Sequence, residues 1–151
     1  MTEITVATLA DLKTVQDLNY TLFVHDSFYD ADLEIDWPYS QNGTSYFTKR
    51  IQESSVFLAV SDREVVGYIA IAAKQNAYSK ARTGELENMF VKEKFRGQGI
   101  GSLLITRAKE WWSKNKVEKV TVSAYHPNSR AINFYKKHGF EAFSETLQVS
   151  I

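Results

Sequence analysis

Apolar positions recur along this chain at two periods, and the switches between them mark out the elements. Ile4 and Val6 alternate with polar residues, which predicts a short first strand. Thr8 stands as an N-cap with Asp11 three residues on, and Leu12, Val15, Leu18, Leu22 and Phe23 then recur at helical spacing. Residues 26 to 43 lose periodicity and contain Pro38 and Gly43, so they read as a loop with a short helical turn. Phe47 and Ile51 share one face of a second helix, over about 44 to 54.

Val56, Leu58 and Val60 alternate, and Val65 to Ala73 is apolar and rich in strand formers. The polar Ser61-Asp62-Arg63-Glu64 between them predicts an antiparallel hairpin. A further strand is expected from about Thr83 to Val91. A long amphipathic helix follows, with Ile100, Leu103, Leu104, Ala108, Trp111 and Trp112 on one stripe and Lys114 and Lys116 near its negative end. Val120, Val122 and Ala124 alternate as the next strand. Ala131, Ile132, Phe134, Tyr135 and His138 make a short helix that Gly139 closes in the left-handed conformation. Phe143 to Ile151 alternates weakly and is expected to form a last strand. The order is strand, two helices, three strands, helix, strand, helix, strand. It predicts a single α/β domain over residues 1–151, a mixed sheet with helices on both faces and no repeat, linker or boundary.

Composition narrows the chemistry. The chain has no cysteine, which excludes disulfides, a thiol nucleophile and cysteine-ligated metals, and fits a reducing cytoplasm. Eighteen Lys and Arg balance eighteen Asp and Glu, so no global field draws the chain to nucleic acid or an anionic membrane. The N-terminus lacks a basic segment followed by an apolar one, and the apolar run Val65 to Ala73 is too short to span a bilayer. His25, His126 and His138 show no ligand spacing, and no metal site is expected.

The informative stretch runs from Glu85 to Gly101. A strand ends, the basic residues Lys92, Lys94 and Arg96 follow, and Arg96-Gly97-Gln98-Gly99-Ile100-Gly101 then opens the long helix. Glycine permits positive φ and close approach of a ligand to the backbone. The unpaired N–H groups and dipole of a helix N-terminus form a site for a diphosphate. The bland alternative is a glycine-rich turn feeding a surface helix. Each glycine in a helix costs about 1 kcal/mol relative to alanine, a loss that the bland reading leaves unexplained. Two other phosphate loops fit poorly. A P-loop needs a lysine after its last glycine, and a dinucleotide fingerprint needs one more residue between the second and third glycines.

The motif Arg96-Gly97-Gln98-Gly99-Ile100-Gly101 resembles the Gln/Arg-x-x-Gly-x-Gly/Ala signature of the GNAT superfamily of acetyl-CoA-dependent N-acetyltransferases. Leu86-Glu-Asn-Met-Phe-Val91 looks like that family's strand leading into the motif. Asn128-Ser-Arg-Ala131, Phe134-Tyr135 and Gly139-Phe140 look like its second signature. The resemblance implies a central, mostly antiparallel sheet splayed between its fourth and fifth strands. It also implies that acetyl-CoA lies in the splay, with its pantetheine arm on the backbone of Met89, Phe90 and Val91. The diphosphate would sit on the amides of Gly97, Gln98, Gly99, Ile100, Gly101 and Ser102 beside Arg96. Asn128 and Ala131 would approach from the opposite side, and Tyr135 would point at the thioester sulfur. Homodimers are common in the family, which makes a dimer an expectation here.

An alkyl amine attacks only when neutral, and at a pKa near 10.4 roughly one molecule in 2,500 is neutral at pH 7, a cost of about 4.6 kcal/mol. A base must take that proton. Glu87 is the candidate, on the strand that leads to the loop. Glu85 is two residues away, and a bulge decides which of them faces the cleft. Both have a plain alternative as solvated edge carboxylates. Tyr135 is the candidate acid for the leaving thiolate, against a role as a core aromatic beside Phe134. Asn128 serves equally as a helix cap.

The segment Asp26 to Tyr39 is acidic, aromatic and free of Lys and Arg. Tyr29, Asp30 and Trp37, with Glu85, would suit a small cationic amine, of the di- or polyamine kind, through charge and cation–π contact. A solvated loop or dimer contact is the plain alternative. A protein or peptide amine, and a non-catalytic acyl-CoA-binding domain on the same fold, stay open beside it.

Overall fold

The computed structural model describes every residue from Met1 to Ile151. Its elements run β1 (Thr2–Val6), α1 (Leu12–Asp26), α2 (Gln41–Gln52), β2 (Val56–Ser61), β3 (Glu64–Lys74), β4 (Thr83–Val91), α3 (Ile100–Lys114), β5 (Lys119–Val122) and α4 (Ser129–Lys137), with single 3-10 turns at Leu9–Asp11, Trp37–Tyr39 and Glu93–Phe95. The five strands form one sheet in sequence order. The first four pair antiparallel, and β5 lies parallel to β4 after the crossover through α3. The expected hairpin turns on Asp62 and Arg63, both left-handed at φ 48° and 67°, the twist that a two-residue connection needs.

Four sequence expectations need correcting. α2 begins at Gln41, because Ser40 caps it by accepting the Gly43 N–H at 3.0 Å. Gly43 is a packing glycine inside the first turn, since a Cβ there would stand 2.1 Å from the Trp37 carbonyl oxygen. On α3, Leu103 falls at the edge of the apolar stripe and is exposed, while Ile105 is fully buried in its place. β5 stops at Val122, leaving Ala124 outside it and exposed. Residues 141–151 form no strand, and all of them are exposed.

Two apolar layers hold the sheet. On one side Phe57, Ala59, Val66, Ile69, Ile71 and Leu86 pack against Ile100, Leu104, Ile105, Ala108 and Trp112 of α3. On the other, Val56, Leu58, Tyr68, Ala70 and Phe90 meet Val15 and Leu18 of α1 and Phe47 and Ile51 of α2. β2 and β3 are covered on both faces, which explains why Val65 to Ala73 reads as an apolar run and not as an alternation. Buried polar groups are tied down across elements. The Gln16 amide donates to the Pro38 carbonyl at 2.9 Å and to the Thr44 hydroxyl at 3.0 Å. Asn19 donates to the Tyr68 hydroxyl at 2.8 Å.

α3 lies close to the sheet because Gly84 has no side chain. A Cβ at Gly84 would come within 2.7 Å of Trp112 Nε1, the atom that donates to the Ala72 carbonyl at 3.1 Å. Gly84→Ala is therefore expected to destabilise the fold by about 1–3 kcal/mol, the usual cost of overpacking, read as a lowered urea midpoint.

Candidate active site

The site begins where the sheet comes apart. β5 pairs with β4 only from Thr83↔Lys119 to Leu86↔Val122, while β4 runs on to Val91. The Lys92 N–H donates to the Val66 carbonyl at 2.8 Å, which sets the alternation along this edge. By that alternation Phe90 turns its main-chain groups toward β3, and Met89 and Val91 turn theirs toward the gap left by β5. Phe90 also buries its ring against α1 and α2, so among the three expected backbone contacts it is the one that faces away. One Val91 carbonyl lone pair is used by Arg96 Nε at 2.8 Å, with the guanidinium 5.3 Å over the Phe90 ring.

The loop beyond Val91 presents a row of amides. A 3-10 turn over Glu93–Phe95 brings the chain round, and Gly97 and Gly99 take φ of 74° and 81°, which only glycine adopts cheaply. Gly99 caps α3, and the Leu103 N–H starts the helical ladder on its carbonyl at 3.1 Å. The six N–H groups from Gly97 to Ser102 donate to no atom of the protein. A Cβ at Gly97 or Gly99 would meet nothing within 4 Å, so it would project into the open space beside those amides. This cradle fits a diphosphate by backbone donors and by dipole.

Gly101 has a different reason to be glycine. A Cβ there would lie 2.9 Å from Phe134 Cζ, so its absence lets α4 sit against the head of α3. Ser102 Oγ and His138 Nε2 at 3.0 Å, and Lys109 donating to the His138 carbonyl at 2.9 Å, complete that seat. Burial, then the neighbouring cation Arg130, lowers the Arg96 pKa. Arg130 therefore adds positive charge near the loop from α4. Lys92, expected to do the same, is paired with Glu64 at 2.8 Å.

Glu87 owes its orientation to a β-bulge. Ala70 pairs with Asn88 and Ile71 with Leu86, which leaves Glu87 as the extra residue. Its carboxylate lies toward α2, where it accepts from Tyr46 Oη at 2.9 Å and from Arg50 Nε at 2.5 Å, with Lys74 Nζ at 4.0 Å from the other oxygen. Asn88 turns to the same side and donates to Tyr46 Oη at 3.1 Å. Glu85 instead pairs with Lys74. Burial and the Glu87 carboxylate raise the Tyr46 pKa far above the usual phenol value, so its proton stays on oxygen.

Across the gap, Asn128 caps α4 by accepting the Ala131 N–H at 3.2 Å, and its NH₂ donates no hydrogen bond within the protein. Tyr135 lies between Phe134 and Phe140, at 5.5 and 5.7 Å between ring centroids. Its hydroxyl has no hydrogen-bond partner, and its pKa is pushed up to about 12 by burial, with a smaller push from Asp26. Tyr29 stacks on Tyr125 at 5.5 Å, beyond the end of β5, and this brings the loop after α1 to the β5 side of the sheet. Asp30 raises the Tyr125 pKa after burial has done so, which places its carboxylate there too. Trp37 is an apolar wall, packed at 5.6 Å on Tyr46 and 6.1 Å on Phe23.

The structure thus gathers Met89, Val91, Gly97, Gln98, Gly99, Ile100, Gly101 and Ser102 at one end of the splay, and connects Trp37 to Glu87 through Tyr46. Sequence reasoning missed Tyr46, Arg50, Lys74, Asn88, Tyr125 and Arg130. Tyr46 and Arg50 are spaced four apart on α2, the one signal that they share a face. No group of three or more His, Cys, Asp or Glu side chains is placed to hold a metal ion, and no helix is long and apolar enough to cross a membrane.

A mixed sheet that splays beside a glycine-opened helix defines the class of folds that GNAT proteins share. The sequence profile of the acetyltransferase (GNAT) family matches residues 15–140, and the chain belongs to that family. It is 27% identical over 108 residues to the uncharacterized N-acetyltransferase YobR of Bacillus subtilis, covering 72% of this chain and 42% of that protein. It is 31% identical over 110 residues to the N-alpha-acetyltransferase MAK3 of Arabidopsis thaliana, covering 73% of this chain and 56% of that one. The chain therefore spans about half the length of these two relatives. A solved structure of the BH1408 protein from Bacillus halodurans shares the fold, with a TM-score of 0.83 at 22% identity over 99% of both chains.

Proposed function

We propose that this chain transfers an acetyl group from acetyl-CoA to a primary amine. The carrying observation is the row of six unpaired amides at the head of α3, lying where β4 turns the main chain of Met89 and Val91 into the splay. Bound there, acetyl-CoA supplies an activated thioester carbonyl. Glu87 takes the proton from the acceptor ammonium, directly or through water, while Tyr46 and Arg50 fix the carboxylate. Tyr135 holds its proton through the neutral range and gives it to the departing sulfur. Asn128 keeps two N–H donors for the pantetheine arm, and Arg96 with Arg130 offsets diphosphate charge.

A small cationic amine is the favoured acceptor. Tyr29, Asp30 and Tyr125 put aromatic faces and a carboxylate beyond the end of β5, while Glu85, on the β4 side, would have to exchange its Lys74 partner for the acceptor's cation. The likeness to an N-alpha-acetyltransferase supports a second reading, a peptide amine. Thiol release from acetyl-CoA over a panel of diamines, polyamines, amino acids and short peptides tests both. Turnover is expected to be highest with the cationic small amines. Release with peptides alone would select the second reading, and no release with any amine would leave only acyl-CoA binding.

Tyr135→Phe is expected to lower kcat roughly a hundredfold with the KM for acetyl-CoA nearly unchanged, as for loss of a general acid. The same tyrosine carries a pH signature. Its folded pKa is raised, so its contribution to stability is intact below the unfolded value of about 10 and is lost as pH rises through about 12. Urea titrations between those limits should show a steeper alkaline loss in the wild type than in Tyr135→Phe.

A further inference from the structure

The sheet-facing stripe of α1 runs through Val15, Asn19 and Leu22 and ends on Asp26. Val15 and Asn19 are buried, and the Asn19 bond to the Tyr68 hydroxyl fixes this face of the helix against β3. Asp26 is the last residue of the helix, and its side chain is only 20% exposed. Its one side-chain partner is His25, at a long 3.4 Å from Nδ1. Two costs meet at this position. A carboxylate at a helix C-terminus stands at the negative end of the dipole, and enclosure strips it of water. Burial pushes the Asp26 carboxyl above the ordinary aspartate value, although His25 opposes the rise. Nothing else in the fold offsets either cost.

The carboxylate opens on the candidate site. The Asp26 main-chain carbonyl accepts from the Tyr29 N–H at 2.8 Å and the Asp30 N–H at 3.1 Å, in the turn that carries Tyr29 onto Tyr125. Burial foremost, and then neighbouring charges that in each case include Asp26, raise the pKa of Tyr68, Tyr125 and Tyr135. The carboxylate thus faces phenols from β3, from the segment after β5 and from α4. No Lys or Arg lies between Lys13 and Lys49, or between Lys119 and Arg130, so neither of these walls supplies a cation.

We propose that Asp26 seats the acceptor's second, non-reacting ammonium, which makes the acceptor a diamine whose other nitrogen reaches the thioester. The inference rests on the acetyl transfer proposed above and adds a division of labour between two carboxylates. Glu87 already has Tyr46 and Arg50, which leaves Asp26 as the carboxylate with room for a cation. A nitrogen held against Asp26 keeps its proton, because an adjacent negative charge favours the ammonium form. Such a nitrogen cannot attack, so the reacting one is its partner along the chain. Tyr29 and Tyr125 add aromatic faces beside the seat. Asp26 and Asp30 both act on Tyr125, and together they repel a carboxylate on the acceptor, so a free amino acid is rejected.

Steady-state kinetics of the wild type and of Asp26→Asn, with diaminobutane and butylamine as acceptors, test it. The wild type is expected to favour diaminobutane at least about tenfold in KM. In Asp26→Asn the KM for diaminobutane should rise at least about tenfold, with kcat and the KM values for butylamine and acetyl-CoA nearly unmoved, as for loss of a binding contact. The melting temperature of the variant should hold or rise, because the helix end sheds an unfavourable charge. An unchanged KM for diaminobutane overturns the proposal, and so does an equal rise for both amines. If the wild type releases no thiol with any amine, the reaction reading falls, and calorimetric binding of diaminobutane to the coenzyme A complex decides the seat by itself. Loss of that binding in Asp26→Asn sustains it, whereas equal binding, or none to the wild type, overturns it. If the variant fails to fold, equal KM values for the two amines in the wild type overturn the proposal and the expected preference sustains it.

Discussion

Replacing Gly99 with alanine is expected to weaken coenzyme A binding at least about a hundredfold while leaving the protein folded. The argument separates two costs. The backbone at Gly99 sits at φ 81°, where a side chain loses roughly 1–2 kcal/mol. The new methyl meets no protein atom within 4 Å, so packing adds nothing further. What it meets is the space beside six donor amides, and a ligand held by those donors loses its approach. Gly101→Ala is the contrasting change. Its Cβ would fall 2.9 Å from Phe134 Cζ, so it should loosen α4 and lower the melting temperature without masking the amides of Gly97 to Gly99. Calorimetric titration with coenzyme A, beside thermal melts of both variants, checks the pair. Full affinity in Gly99→Ala would place the cofactor elsewhere.

Glu87→Ala carries the second large expectation, and it acts on rate and stability together. Loss of a general base is expected to lower kcat by about 10²–10⁴-fold. The carboxylate is also the partner of Arg50, with side chains 14% and 15% exposed. Removing it leaves Arg50 mostly enclosed with only Glu53, at 3.2 Å, and strips Tyr46 of its acceptor. A loss of about 3 kcal/mol is expected, the low end for a broken buried pair because both groups keep some water. Glu87→Gln keeps an acceptor for Tyr46 and should recover part of the stability but none of the rate. A variant that loses stability yet turns over normally would make Glu87 structural and move the base elsewhere.

The way these two residues became visible differs, and the difference is physical. The glycine loop was legible because its requirements are local. Positive φ at Gly97 and Gly99, free amides and a helix start all follow from consecutive residues. Glu87 was legible as a residue but not as a geometry. The bulge that frees it depends on β3, and its partners Tyr46 and Arg50 arrive from α2, 37 to 41 residues away. Tyr29 was selected for an acidic, aromatic neighbourhood, yet its stacking partner Tyr125 lies on the far side of the chain and left no signal near it.

The fold was read with the same asymmetry. β2, β3, α1 and α3 carry their own periodicity and appear where expected. α2 starts earlier than the pattern predicts, because Ser40 caps it and Gly43, which reads as a breaker, serves a close contact with Trp37. Phe143 to Ile151 alternates weakly but pairs with no edge of the sheet, and an alternating pattern becomes a strand only when another edge satisfies its backbone.

The most direct measurement is of the six amides themselves. Titration of isotopically labelled protein with coenzyme A, followed by amide resonances, should shift Gly97, Gln98, Gly99, Ile100, Gly101 and Ser102 most strongly, with pantetheine, which lacks the diphosphate, leaving them nearly still. Saturable binding of coenzyme A that leaves those six resonances in place would contradict the account.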